Sequence, residues 1–454
     1  MNVLAQGTSR SRSAIGHLLI VAGGKGERLA QVFPALPKAL VPIGGKPVLA
    51  HQLELAASCG VSEVTILAGH LSDKIADFVG DGSAFGIKAR VLVETEPLGS
   101  AGALLQHLDE MPKHFLVLYG DVMTAVDLPR FGEFHLAHNA DFTCLVHPND
   151  HPLDSDLFEI DECARVMAIH GYPHPAGRDF SNLVNAALYA VRREALRPWT
   201  GRSNKVDFTK DVMSGLITAG AQVFAYRSSE YARDMGTPKR LAQVEADWRA
   251  GKIDIAHSHR PRPVVFLDRD GTLNVEKGGV RRPEDLELLP NVADALIALR
   301  RGGFGLVVLT NQSIVAHGKI NESDVAVIHR RLEWELGKAG AYFDGIYVCP
   351  HHPDGGFPGE RADLKIVCDC RKPATGLVER ARRELAIDLA NSWMIGDQTR
   401  DIELARRAGL RSILVQTGAA GGDGRFACVA DHVAADLQIA AALILAETAQ
   451  AARA

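Results

Sequence analysis

Two aspartates stand two apart in "VVFLDRDGT", where an apolar run ends in an acidic turn. Alternate side chains of an extended chain share a face, so Asp268 and Asp270 point the same way. Such a pair suits Mg2+, which prefers carboxylate oxygen and keeps waters for a phosphate. One carboxylate can attack phosphorus while the other moves the proton. Further polar groups follow other apolar runs. Thr310 ends "VVLTN", Lys372 stands in "CRKP", and Asp397 ends "WMIGD" with Asp401 one helical turn beyond it. A hydroxyl donor, a cation for the transferring phosphoryl group and acids for a metal complete a phosphoryl-transfer constellation.

Close to Lys372 lies a second chemistry. Cys349 and His351 are two apart, and so are Cys368 and Cys370. Two such pairs on extended loops offer three thiolate sulfurs and one imidazole nitrogen, a set suited to tetrahedral Zn2+. Protein fills all four positions, so the expected site is structural. His352 competes with His351, but the C-x-H spacing mirrors C-x-C, and His351 is the expected ligand. The intervening loop is rich in Gly, Pro and charge, with little to bury. A zinc clip offsets its ordering entropy and presents Arg371 and Lys372 to a phosphate.

The first half carries its own set. In "AGGKGERL" the glycines Gly23, Gly24 and Gly26 let backbone N–H groups approach phosphates, and Arg28 adds charge. Lys38 is a second cation for a triphosphate. Gly99 sits in a loop entering a helix, Asp121 ends "VLYGD", and Asp234 precedes a Gly-Thr-Pro turn. Two aspartates can share Mg2+ between a nucleotide and a sugar phosphate.

The elements that must hold these groups are legible as alternation. "VTILAG", "FLVLYGD" and "FTCLV" read as strands in the first half, and "GLVVLTN", "GIYVCP" and "RSILVQTG" in the second. Helices closed by glycine lie between them. The expected fold class is α/β, with two Rossmann-like three-layer domains and ligands at the carboxyl ends of parallel strands. The expected boundaries are a flexible tail over 1–16, a first domain over 17–254, a linker over 255–262 and a second domain over 263–454. At 454 residues the chain suits two or three domains, and 46% apolar residues can fill their cores. A net charge of −5 gives no general basic footprint for nucleic acid or an anionic membrane. No apolar run reaches a membrane span, and the N-terminus lacks an export signal's apolar core. The cysteines outside the cluster are scattered, so a cytoplasmic chain with reduced thiols is expected.

"DRDGTLN", "TNQS", "CPHHP…CDCRKP" and "IGDQTRD" together resemble the haloacid dehalogenase-like phosphatases over about residues 263–418. The likeness is to their zinc-bearing subgroup, which contains D-glycero-D-manno-heptose 1,7-bisphosphate 7-phosphatase and histidinol-phosphate phosphatase. It implies Asp268 as nucleophile and Asp270 as acid–base. It implies Thr310 and Lys372 on the phosphoryl group. Mg2+ would be held by Asp268, Asp397 and the Asp270 carbonyl, with Asp401 in support. Where the family runs Gly-Ile-Ala-Arg-Gly this chain has Ile314 and His317. There is no room for a large cap between Asp268 and Thr310, so loops must select the substrate.

Over about residues 17–248 the chain resembles the sugar-1-phosphate nucleotidyltransferases, most closely the guanylyltransferases for mannose 1-phosphate and D-glycero-α-D-manno-heptose 1-phosphate. The resemblance implies that Arg28 and Lys38 stabilise charge as the sugar phosphate attacks the α-phosphate. It puts Glu94 and Gly99 near the base, Asn185 near the sugar, and Asp121 and Asp234 on Mg2+. Glu27 stands where the family has Thr. "AIHGYPHP" replaces a Glu-Lys-Pro that touches the sugar phosphate, and Lys210 is the expected substitute.

The two halves constrain each other. A 7-phosphatase acting on a heptose 1,7-bisphosphate leaves a heptose 1-phosphate, which a sugar-1-phosphate transferase consumes. The expectation is a bifunctional enzyme making an NDP-heptose, with GTP as the expected donor. The alternatives are a mannose-1-phosphate guanylyltransferase joined to another small-molecule phosphatase, and a non-catalytic sugar-nucleotide sensor regulating the phosphatase.

Overall fold

The computed structural model describes residues 13–24, 26–94, 96–201, 205–255, 260–356 and 358–451. The side chains of Glu27, Ala30 and Ile255 also lie outside the description. The chain divides into two compact units. One comprises Met1–His147, Phe158–Ile169 and Asn185–Ser258, the other Pro148–Leu157, His170–Val184 and His259–Ala454.

In the first unit, strands Lys88–Val93, Glu63–Ala68, His17–Ala22 and His114–Tyr119 lie side by side, all parallel. Val184–Arg192 then joins antiparallel to His114–Tyr119. Leu18, Leu19 and Ile20 are fully buried, as are Leu116, Val117 and Leu118. Covered on both faces, such strands read as continuous apolar runs. Chain order reverses beside His17–Ala22, so a crevice opens where that strand and His114–Tyr119 end. Packing begins before the first strand, because Ile15 is 2% exposed and Ser13 N–H donates to the Cys59 carbonyl. The rest of the expected tail, 1–12, and half of the expected linker, 256–259, fall outside the described residues.

The second unit holds a six-stranded sheet, parallel throughout. Its order is Gly345–Cys349, Gly305–Asn311, Val264–Leu267, Trp393–Gly396, Arg411–Val415 and His432–Ala434. This is the doubly wound order, and its switch point lies between Val264–Leu267 and Trp393–Gly396. The Ala-rich helix Leu437–Ala451 buries Leu437, Ala440, Ala441 and Ile444 in the core that also holds helix Val292–Arg301.

Two pieces of chain from before residue 185 belong to this unit. Phe180 meets Trp334 edge to face at 5.4 Å, and Leu157 and Val184 complete a small buried cluster. Arg331 pairs with Asp179 at 3.0 Å. Trp334 and Arg331 share the helix Glu322–Lys338. Among the described residues no helix is long and apolar enough to cross a membrane.

Candidate active sites

Asp268 follows Val264–Leu267 directly, and its N–H donates to the Ile395 carbonyl of the neighbouring strand. That bond places it at the switch point beside Asp397, which follows Trp393–Gly396. Lys372 bridges the acids: its Nζ is 2.8 Å from Asp268 Oδ1 and 2.7 Å from Asp401 Oδ1. Carboxylate oxygens of Asp268, Asp397 and Asp401 lie within 4.8 Å of one another, all buried. One ammonium cannot neutralise three carboxylates. Burial and the nearby acids push Asp397 up to about 7. Burial pushes Asp268 up to about 6 against the pull of Lys372. Burial works against the Lys372 ammonium, yet Asp268 and Asp401 hold its pKa above the ordinary value.

The cluster could hold a cation. Asp397 Oδ1 is buried and has no hydrogen-bond partner among the described residues. A Cβ added to Gly271 or Gly418 would come within 2.4 and 2.3 Å of Asp397 Oδ2, and both residues have positive φ. Glycine at these turns is what lets backbone close around the acid. Asp401 serves twice. Its Oδ2 accepts from Gln398 N–H in a capping box, leaving Oδ1 for Lys372.

Asp270 is placed differently. Its carboxylate accepts from Arg269 Nε and Nη2, from Asn274 Nδ2 and from Gln312 Nε2, at 2.7 to 3.1 Å. Burial opposes its charge, but the Arg269 guanidinium outweighs it and holds the pKa below the ordinary carboxylate range. The carboxyl group therefore stands in a donor cage, outside the group of Asp268, Asp397 and Asp401. Gln312 Nε2 also donates to Thr310 Oγ1 at 2.7 Å, which links the second acid to the expected phosphate donor. Arg269 is fully buried, held by Gln312 Oε1 and beside His329 Nε2. Sequence reading missed Arg269 and Gln312, although both lie inside motifs it used.

The four expected zinc ligands converge. Cys349 Sγ to Cys370 Sγ is 3.2 Å, Cys370 to Cys368 is 3.4 Å and Cys349 to Cys368 is 3.7 Å. His351 Nδ1 is 3.2 Å from Cys370 Sγ and 3.7 Å from Cys349 Sγ. Zinc–sulfur bonds of about 2.3 Å in a tetrahedron set sulfurs about 3.8 Å apart, so the group fits the ion with slight expansion. His352 is outside it, with its Nδ1 accepting from Asp354 N–H. Strand register ties the cluster to the catalytic loop. Cys349 pairs with Asn311, and Asn311 Oδ1 accepts from Lys372 N–H at 3.0 Å. Arg371 donates to the His351 carbonyl at 3.0 Å.

A cavity of about 250 Å³ adjoins Lys372. Arg371, Arg400, Arg425 and Phe426 line it.

In the first unit the charged ends also meet. A Cβ built on Gly236 would lie 3.0 Å from Asp234 Oδ1, 3.1 Å from Lys38 Nζ and 3.7 Å from Arg28 Nη2. Lys38 pairs with Asp121, and Arg240 Nη1 reaches both oxygens of Asp234 at 3.0 Å. The short ribbon of Val122–Thr124 and Ala232–Asp234 holds the two aspartates together, with Met235 N–H on the Asp121 carbonyl. Gly26 takes φ +61 at the start of the helix Glu27–Ala30, against Lys38 Cβ. A Cβ on Gly24 would meet nothing within 4 Å, and one on Gly23 would strike Glu94 Oε2 at 2.5 Å. The side chain of Glu27 lies outside the described residues.

Gly99, Asn185 and Lys210 form a second neighbourhood. Gly99 lies on the Val206 backbone at φ +87, and the next residue, Ser100, donates to Asp207 Oδ2. Asp207 Oδ1 accepts from Lys210 N–H, leaving the lysine side chain exposed. Asn185 Nδ2 donates to the Tyr189 hydroxyl at 2.7 Å and to Thr209 Oγ1 at 3.1 Å, while its Oδ1 accepts from Ala187 N–H. The amide expected to meet a sugar is thus already engaged inside the protein. Tyr189, which it braces, was not singled out from sequence.

Two doubly wound units, each with charged groups gathered at a switch point, define a chain of two phosphate-handling enzymes. Residues 17–250 match the model of the nucleotidyl transferase family, and residues 369–440 match a HAD-hydrolase-like model. The D-glycero-β-D-manno-heptose-1,7-bisphosphate 7-phosphatase of Photorhabdus laumondii is 42% identical over 157 residues, which is 34% of this chain and 81% of that protein. A solved D,D-heptose 1,7-bisphosphate phosphatase from B. bronchiseptica, with magnesium and phosphate, is 33% identical at a TM-score of 0.36. It covers 41% of this chain and 99% of that one. The structure of HddC from Yersinia pseudotuberculosis is 23% identical at a TM-score of 0.44, covering 52% of this chain and all of that one. The chain belongs to the nucleotidyl transferase family through its first half and to the heptose bisphosphate phosphatase family through its second. It is a nucleotidyltransferase and a phosphatase in one polypeptide.

Proposed function

We propose that the second unit removes the 7-phosphate of D-glycero-D-manno-heptose 1,7-bisphosphate and that the first transfers a nucleotidyl group, GMP from GTP, to the heptose 1-phosphate. The observation that carries the phosphatase reading is the bridge of Lys372 between Asp268 and Asp401 beside the unpaired oxygen of Asp397. Asp268 attacks phosphorus, and the bond from phosphorus to the sugar oxygen breaks. Asp270, released from Arg269, gives that oxygen its proton. Asp270 then takes a proton from water, which attacks the aspartyl-phosphate and frees phosphate and Asp268. Thr310 and Lys372 hold the phosphoryl oxygens throughout. Asp268, Asp397 and the Asp270 carbonyl would hold Mg2+, with Asp401 in support, and the ion would polarise the phosphoryl group. Zn2+ on Cys349, His351, Cys368 and Cys370 would fix the loop that carries Arg371 and Lys372.

In the first unit, Arg28 and Lys38 stabilise charge at the α-phosphate as the sugar phosphate attacks and pyrophosphate leaves. Gly23, Gly24 and Gly26 cradle the phosphates, Glu94 and Gly99 lie by the base, and Lys210 reaches the sugar phosphate. Asp121 and Asp234 would hold Mg2+ together with the nucleotide. Asn185 supports the sugar side through Tyr189 and Thr209.

Incubation of purified protein with the bisphosphate, Mg2+ and each NTP, read by mass, tests both halves. The expected products are phosphate, pyrophosphate and a GDP-heptose. Intact bisphosphate alongside cleaved histidinol phosphate would overturn the substrate assignment. Nucleotide binding without pyrophosphate release would make the first unit a sensor.

A further inference from the structure

The cavity beside Lys372 holds an excess of positive charge. Arg371 is the one of its guanidiniums with a bonded partner described above, the His351 carbonyl. No acid pairs with Arg400 or Arg425 among the described residues, and Arg400 Nε is buried without a hydrogen-bond partner. Asp268 feels the charge of Arg400 across the site, but neither arginine is bonded to an acid among the described residues, and an anionic ligand would give both a partner.

The segment that carries Arg425 is anchored. Thr417 Oγ1 donates to the Gly271 carbonyl at 2.6 Å, and Ala419 N–H donates to Asp397 Oδ2 at 2.7 Å. Asp423 takes Thr399 N–H and Oγ1 at 2.8 Å each, and Phe426 N–H reaches Thr399 Oγ1 at 3.2 Å. Arg400 comes from the first turn of helix Thr399–Ala408, next to the residue these bonds converge on. Two separate elements are therefore held so that their guanidiniums face one space, with the Phe426 ring as an apolar wall. Guanidinium forks match phosphate oxygens, and an aromatic face suits the C–H side of a sugar.

We propose that Arg400 and Arg425 form an anion subsite that grips the phosphate retained by the substrate, so that the phosphatase selects sugars phosphorylated at both ends. This rests on the phosphatase reading above. Lys372 lines the same cavity, so an anion at the arginines lies on one molecule with the phosphoryl group under attack.

The test compares heptose 1,7-bisphosphate with heptose 7-phosphate, which has the same scissile bond and no second phosphate. The full chain is assayed as wild type, Arg400→Met, Arg425→Met and the double variant, with Lys at each position as the charge-keeping control. The readout is the ratio of the two kcat/KM values. Wild type is expected to favour the bisphosphate. Each Met change is expected to lower the ratio about tenfold, and each Lys change less, because one charge-assisted phosphate contact is lost or weakened. A wild-type preference that survives in the double variant overturns the subsite. If the double variant does not fold, a ratio unchanged in both Lys variants and both single Met variants overturns it. Failure of wild type to cleave the bisphosphate overturns the phosphatase reading itself.

Discussion

At the scale of single residues the second unit turns on charge imbalance. Asp268 and Asp397 carry raised pKa values because three acids share one lysine in a buried place. A raised carboxyl pKa contributes stability below its unfolded value near 3.9, and that stability is lost as pH rises through the folded value. Metal-free protein is therefore expected to lose stability between about pH 4 and 7 as these two acids ionise. Mg2+ should raise Tm more at pH 8 than at pH 5, and Asp397→Asn should remove most of that difference. Scanning calorimetry with and without Mg2+ checks it, and a Mg2+ shift independent of pH would refute it. Asp268→Asn should lower phosphate release by more than about a thousandfold, since it removes the proposed nucleophile. Pyrophosphate release from heptose 1-phosphate and GTP should persist. Asp268, Thr310 and Asp397 were legible because each closes an apolar run, and Lys372 because it stands two residues past a cysteine pair. Arg269, Gln312, Arg400 and Arg425 were not, since their meaning depends on partners brought in from other strands and loops.

Elements explain why the cysteines sit where they do. The strand Gly345–Cys349 ends at the cysteine–histidine group, and its neighbour Gly305–Asn311 ends at Thr310 and Asn311. Asn311 then grips the Lys372 backbone from both sides, with Oδ1 on its N–H and Nδ2 on its carbonyl. Cys368→Ser should cost the bound zinc, counted by atomic absorption, and lower phosphatase kcat at least tenfold while the transferase keeps its rate. Full phosphatase activity in a zinc-free variant would show that the strands alone place Lys372. The strands themselves were plain in sequence, because parallel strands buried on both faces leave unbroken apolar runs. The short ribbon that joins Asp121 to Asp234 left no such trace: its strands are three residues each, too brief for any period to show.

For the whole molecule, the expected division at residue 263 follows the motifs, while the contacts follow the apolar residues. The stretches 148–157 and 170–184 lie within the sequence of the first half, but Phe180 and Val184 find their neighbours around Trp334. Nothing local in "GRDFSNLV" tells which surface will receive it. Residues 260–454 expressed alone should therefore leave Trp334 exposed. A red-shifted tryptophan emission and a Tm several degrees below that of the full chain are expected, from about 2–3 kcal/mol of lost apolar burial. Unchanged Tm would show that the two stretches add nothing to this unit.

Asp401 caps a helix with one oxygen and meets Lys372 with the other. Replacement there is consequently two injuries with different signatures. Alanine should fray the first turn as well as free the lysine, whereas asparagine keeps an acceptor for the turn and offends only the ammonium. Protection of the Gln398 amide from solvent exchange, followed beside turnover in both variants, would separate loss of scaffold from loss of chemistry at a single position.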